Sequence, residues 1–307
     1  MTTAQKSPRR SGRAVLRGLL DLRPHVGVED TAVSPDEAVV RGLAVAKVYA
    51  FASVDYPGAA QSLVFDSDGA TAVGAFNFDP GSGASPTTAF TLAGGAYQIL
   101  AIPSSTTSIA TGINAGGLIV GVYQDLAGVS RGFGNIGGTF SNVEFPGASG
   151  TQAIGVNDSG EIVGDYFDAA SVEHGFVSSG GSFTALDFPG ATGTAAAGIN
   201  TSGDIVGVHS DATGSHGFLL HAGVFTPIDF PLATSTSAFG ISDSGEIAGF
   251  YSDTAGNSHG FIYASGAFST VDVAGALGTQ LTRIKNGGPV TGVCTDRLNE
   301  QHGLTGQ

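Results

Sequence analysis

The sequence predicts an all-β protein: a six-bladed β-propeller of four-stranded antiparallel blades, closed by an N-terminal outer strand. Three observations predict it. A phrase of one turn and one strand, "NDSGEIVGDYFD" at 157–168, returns as "NAGGLIVGVYQD" at 114, "NTSGDIVGVHSD" at 200 and "SDSGEIAGFYSD" at 242. The copies recur every 42 to 44 residues and each divides into four strand-length pieces, the spacing of propeller blades. The last copy stops one strand short, and a matching strand stands near the N terminus.

Taken in chain order, residues 1–47 form an N-terminal extension. "SPDE" at 34–37 starts a short helix over about 35–47, with Ser34 as N-cap, Pro35 at the first helical position and Glu37 closing a capping box. The stretch before it is expected to be flexible. Residues 48–307 form the propeller. A degenerate copy at about 59–105 carries "DSDGATAVGAFNFD", and regular copies follow at 106–149, 150–192, 193–234 and 235–277. In each, a small apolar first strand ("TAAAGIN") ends at an Asn-x-Ser-Gly turn and suits a crowded axis. The second and third strands ("DIVGVHSD", "HGFLLH") and a bulkier fourth ("VFTPIDF") follow. A proline then breaks the ladder before the next copy. The truncated copy at 278–307 ends after its third strand, "HGLTGQ". "FASVDYPGA" at 51–59 matches "FTALDFPGA" at 183–191 and supplies the missing fourth, which leaves no open edge between first and last blades.

The pattern Gly-Ile-Asn-x-x-Gly-x-Ile-Val-Gly, then His-Gly-Phe, then Phe-x-x-x-Asp-x-Pro-Gly-Ala resembles the HAF-type bacterial extracellular repeat. The resemblance covers about 48–307 and is strongest over 106–277, with "HGF" intact at His174, His216 and His259. It implies export to the extracellular space or cell envelope, and a repeat-built domain with no assigned chemistry. Residues 1–47 hold no uninterrupted apolar h-region, so the residues themselves also allow a cytoplasmic chain.

Aspartate and histidine recur in columns. Asp168, Asp211, Asp253 and Asp296 end the second strand, and His174, His216, His259 and His302 open the third. Such columns suggest either metal or acid–base sites, or a cross-strand bond in which imidazole donates to carboxylate. Copy 106–149 pairs Asp125 with Arg131, and arginine donates well to a carboxylate but does not ligate metals. The columns are therefore read as structural pairs. Asp66 and Asp68 in "DSDG" are the least unfavourable calcium candidates, yet most copies of the turn have too few carboxylates for a calcium loop. The second-strand column Tyr123, Tyr166 and Tyr251, with Phe76, His209 and Cys294, is read as packing between blades. His209, His221 and Cys294 break the repeat without making a triad. No catalytic residue, cofactor site or metal site is expected.

Composition narrows the function. Of 12 Lys and Arg and 26 Asp and Glu, residues 1–47 hold eight and five, a net +3; the remainder holds four and 21, a net −17. So acidic a body repels phosphate backbones, which excludes nucleic acid as its partner. No segment reaches the roughly 18 apolar residues of a membrane span. The single cysteine, Cys294, allows no internal disulfide. The expected function is a non-catalytic, monomeric binding or scaffold domain contacting a glycan or a protein. The alternative is a sugar-acting hydrolase or lyase at the mouth of the propeller channel.

Overall fold

The computed structural model describes residues 49–78 and 87–307; the helix expected at about 35–47 lies outside them. Every regular element among the described residues is a strand, and none is a helix able to cross a membrane. β1 (Phe51–Val54) stands alone at the start. β2 (Gln61–Ser67), β3 (Thr71–Asn77), β4 (Thr88–Ala93) and β5 (Ala96–Ile99) form the first set. The second is β6 (Ser105–Ile113), β7 (Ile119–Asp125), β8 (Ser130–Ile136) and β9 (Thr139–Val143). The third is β10 (Gly150–Val156), β11 (Ile162–Phe167), β12 (Glu173–Ser179) and β13 (Ser182–Leu186). The fourth is β14 (Gly193–Ile199), β15 (Ile205–Ser210), β16 (Ser215–His221) and β17 (Val224–Ile228). The fifth is β18 (Ser235–Ile241), β19 (Ile247–Ser252), β20 (Ser258–Ala264) and β21 (Ala267–Val271). β22 (Gly278–Ile284), β23 (Val290–Thr295) and β24 (Gln301–Gly306) end the chain.

Within each set the strands pair antiparallel in sequence order. β24 has β1 on its outer side, in antiparallel register from Phe51 opposite Gly306 to Val54 opposite Gly303. It also meets β2 at one parallel bridge, Gln61 to Gln301, so the last and first sets share one eight-stranded sheet.

The register explains the repeated motif. The second-strand glycine of "IVG" lies opposite the third-strand phenylalanine of "HGF": Gly121 faces Phe133, Gly164 faces Phe176, Gly207 faces Phe218 and Gly249 faces Phe261. The ring lies across the space where a glycine side chain would stand. A Cβ on Gly164 or Gly207 would overlap the ring and a first-strand carbonyl oxygen, Gln152 or Ala195. Burying each of these rings contributes roughly 1.5–3 kcal/mol, available only where the opposite residue has no side chain.

Each first strand also bulges at the same place, skipping Phe65, Thr111, Ile154, Ala197, Phe239 or Thr282. The extra residue adds local bend and twist. Just past the bulge, four sets have Gly112, Gly155, Gly198 and Gly240. A Cβ on Gly155 would sit 2.5 Å from Ala197 O, on Gly198 2.6 Å from Phe239 O, and on Gly240 2.6 Å from Arg283 Cα. Successive first strands therefore meet backbone to backbone.

Apolar clusters fill each junction between successive sets. Val163, Ala196 and Phe218 lie between the third and fourth, and Val206, Ala238 and Phe261 between the fourth and fifth. Val54, Val64 and Phe90 lie between the end of the chain and the first set. A further cluster, with Leu63, Ile109, Ala195, Phe239 and Val293, draws on all six sets. Aromatic pairs bolt the junctions. Phe145 stacks on Tyr166 and Phe188 on His209 at 3.7 Å, and Phe230 on Tyr251 at 3.6 Å; in each, the closing segment of one set meets the second strand of the next. Tyr56, just after β1, makes the same stack on Phe76 at 3.7 Å.

Gly207→Ala should therefore destabilise the protein by about 2–3 kcal/mol or more through overpacking. Chemical denaturation measures it, and a loss under about 0.5 kcal/mol, typical of a neutral surface change, would refute the packing argument.

Candidate functional site

The turns between second and third strands and the connections from one set to the next lie at one end of the sheets. This end carries the Asp–His columns, and a second acid joins each expected pair. The nearer carboxylate belongs to the end of the fourth strand. His174 Nδ1 lies 2.8 Å from Asp187, His216 Nδ1 3.1 Å from Asp229, His259 Nδ1 2.8 Å from Asp272 and His302 Nδ1 2.9 Å from Asp55. The expected partners stand farther off on the Nε2 side: Asp168 at 3.7 Å, Asp211 at 3.6 Å, Asp253 and Asp296 at 3.5 Å. Each imidazole is thus bracketed by two acids. Arg131 keeps the pattern, 3.0 Å from Asp125 and 3.2 Å from Glu144.

The second-strand acids are occupied in their own turns. Asp168 accepts from the Ala170 and Val172 N–H groups, and Asp253 from Ala255 and Asn257. Geometry, not the histidine, was the stronger claim on them. The Val172 N–H bond holds Asp168 below the usual carboxylate range, and the Val129 N–H bond does the same for Asp125. Burial pushes Asp253 and Asp296 up, but bonds from Asn257 and Glu300 N–H outweigh it and both end lower. His259 is raised, chiefly by its bond to Asp272. Asp296, Glu300 and His302 have ligand atoms within 4.8 Å of one another. Asp296 is already bonded by the Leu298 and Glu300 N–H groups and His302 by Asp55, so this reads as turn structure.

The opposite end holds the turns between first and second strands, closed by a wreath of side-chain bonds. Asn114 Nδ2 donates to Asn157 O, Asn157 Nδ2 to Asn200 O, and Asn200 Nδ2 to Ser242 O. Asp158 accepts from Ala115 N and Asp243 from Thr201 N. The wreath surrounds a cup of about 200 Å³ lined in part by Asp158, Asn200, Asp243, Lys285 and Asn286. Burial raises Asp243, but bonds from Thr201 and Asn286 and the charge of Lys285 carry it below its ordinary value.

Beneath the cup, two charges replace the glycines past the bulge. Arg283 is buried and donates to Phe239 O at 2.9 Å, Thr282 O at 2.8 Å, Thr111 O at 3.2 Å and Ile154 O at 2.6 Å, carbonyls of four different sets. Asp66, also buried, sits 3.7 Å from Arg283 Nε and 3.0 Å from Lys285 Nζ, and accepts from Ile113 N. Asp66 is thus a counter-charge rather than a calcium ligand, while Asp68 caps its own turn through Ala70 and Thr71 N–H. Arg283 was missed in the sequence; its only signal is a cation where other copies have glycine. His221 pairs with Asp204 at 2.6 Å, His209 stacks between Phe188 and His216, and burial pushes the Cys294 thiol up to about 11. These three repeat-breaking residues do not converge.

No protein-family model and no curated protein matches this chain. Among solved structures, AofleA from Arthrobotrys oligospora is similar over 82% of this chain and 85% of its own, at 13% identity and a TM-score of 0.53. TolB from Acinetobacter baumannii is similar over 79% of this chain and 65% of its own, at 11% identity and a TM-score of 0.55. The β-propeller domain of the Trilobed protease from Pyrococcus furiosus, described as having an open velcro topology, is similar over 80% and 95%, at 10% identity and a TM-score of 0.50. At these identities the likeness is one of fold, and the fold is of the β-propeller kind.

A raised histidine pKa stabilises the folded state below the unfolded value of about 6.5, and that stability is lost as pH rises through the folded value. The stability advantage of the unaltered protein over His259→Gln should be largest near pH 5.5 and shrink by pH 8. Urea midpoints across that range test it; an advantage that grows with pH would contradict the assignment.

Proposed function

We propose that the chain is a closed six-bladed propeller of the HAF-repeat kind, a non-catalytic module that binds a neutral glycan on the histidine-bearing end, outside the cell or at its envelope. The observation that carries this is the repetition of one polar set, an imidazole or guanidinium between two acids, in five places around the same end. The outer carboxylates are half-exposed, at 41–56% for Asp187, Asp229, Asp272 and Asp55. Leu126 and Leu298, in the same turns, and Leu232, just past the fourth strand, are exposed at 77%, 77% and 84%. Carboxylates accept from sugar hydroxyls, exposed aliphatics cover C–H faces, and equal weak sites on a ring gain avidity toward a repetitive chain. A protein partner fits the same mixture of acid and leucine and is the second reading.

Six blades and closure are supported by the pairing of β1 with β24, by the Tyr56–Phe76 stack, and by Val54 in the junction to the first set. The hydrolase reading is weakened at the cup. Glycoside cleavage needs a protonated carboxylic acid within reach of the sugar, and Asp243, one of three aspartates lining the cup, is shifted away from that role toward ionisation. Export and the absence of catalysis remain part of the proposal.

A glycan array with the full chain, repeated with the triple variant His174→Ala/His216→Ala/His259→Ala, tests it. Neutral polysaccharide should be retained by the unaltered chain and bound at least about tenfold more weakly by the folded variant, as multivalent binding loses its sites. Silence on every glycan would move the protein-scaffold reading forward, and release of reducing sugar would overturn the non-catalytic one.

A further inference from the structure

One buried pair departs from the repeat without a partner. At the step where first and second strands face each other near the axis, three sets place two apolar residues: Leu63 opposite Ala75, Ile109 opposite Val122 and Ala195 opposite Val208. Five of these belong to the shared axial cluster, and Val208 packs against it. The third set has Gln152 opposite Asp165. Both are 0% exposed. Among the described residues, neither oxygen of Asp165 and neither amide atom of Gln152 has a hydrogen-bond partner, and Glu173 Oε1, also buried, has none.

These three side chains share one face of one sheet. Gln152 and Asp165 are direct cross-strand neighbours, and Asp165 faces Gly175, two residues along β12 from Glu173. Alternation along the strand puts Glu173 on the same side as a diagonal neighbour, within reach of a long side chain. The carboxylates repel: desolvation and then Glu173 push Asp165 well above its ordinary value, and burial takes Glu173 up to about 7. The charged neighbour of Glu173 is His174, which is already committed to Asp187 and Asp168.

Nothing in the fold calls for a buried acid here, because three sets build the same step from aliphatic pairs and the other two pair Ser237 with Phe250 and Gln280 with Val293, none with a carboxylate. Burying polar groups with no partner is costly, and an unpaired buried carboxylate is more so. In a neutral arrangement the Gln152 amide would donate to its cross-strand carboxyl, yet the two do not bond.

We propose that Asp165, Glu173 and Gln152 form a buried binding site for one hard divalent cation, with calcium the best-fitting occupant. Two carboxylates offset the charge of a divalent ion, and the Gln152 carbonyl adds a neutral oxygen ligand. An all-oxygen set selects calcium or magnesium over zinc or copper, and calcium tolerates the irregular geometry of three side chains from three strands. Glu173 is only partly buried and opens the site toward the histidine-bearing end. The site pins β10, β11 and β12 together at the junction with Gly193 of the next set, which lies against Glu173.

The test is thermal melting and metal content of the full chain after chelation, titrated with calcium chloride and separately with magnesium chloride. Asp165→Val/Glu173→Ser, which installs the residue types of Val208 and Ser215, serves as the comparison. The unaltered chain should take up one calcium and melt several degrees higher with it. The double variant should be unresponsive and melt at or above the metal-free protein. Gln152→Ile, which keeps both acids, should raise the half-saturating calcium concentration about tenfold or more. An unaltered chain indifferent to both ions at millimolar concentration would overturn the proposal. An equal response from the double variant would also overturn it, by placing the ion elsewhere, as at Asp296, Glu300 and His302.

Discussion

The structure depends on how closely the first strands can approach one another around the axis. Past the bulge, four of them carry glycine, and at Gly155, Gly198 and Gly240 an added methyl group would strike the next strand's backbone. That approach sets the width of the centre, and the rest of each set is arranged around it. The second strand must also be bare opposite the third-strand ring, so that Phe133, Phe176, Phe218 and Phe261 can lie flat over glycine and fill the junction to the neighbouring set. Among the described residues glycine thus serves two needs, space at positions such as Gly164, Gly207 and Gly240 and positive φ in turns such as those at Gly160 and Gly203.

Against this near-symmetric frame, a few departures carry the individuality of the molecule. Where the first and last sets meet, Asp66 and Arg283 replace glycine, and the guanidinium ties carbonyls of four sets to one carboxylate. A charge so buried is tolerable because its donors are used and its counter-charge is adjacent. At Gln152 and Asp165 no such compensation comes from the protein. The contrast is physical: one buried ion pair is satisfied internally, and the other buried acid calls for something from outside.

Much of this was legible in the sequence because it is local or periodic. The turn phrase, the "HGF" strand and the proline punctuation each recur at the interval of one set, and the match of 51–59 to 183–191 pointed β1 to β24. The second acid of each histidine was not legible. Asp168 lies six residues before His174 and Asp187 thirteen after, and only the register shows that the imidazole reaches both, Asp187 at 2.8 Å through Nδ1 and Asp168 at 3.7 Å through Nε2. Arg283 was hidden for a different reason. Its hydrogen bonds go to backbone carbonyls as far as 172 residues away, which leave no mark on side-chain identity.

The central claim is that β1 serves as the outer strand of the last set and so joins the two ends of the chain. Comparing the melting of fragment 49–307 with that of fragment 59–307 tests it most directly. The account predicts a cooperative transition for the longer fragment. The shorter one should melt far lower or not fold, because it loses the β1–β24 ladder, Val54 and the Tyr56 stack together. Equal melting temperatures for the two fragments would contradict it.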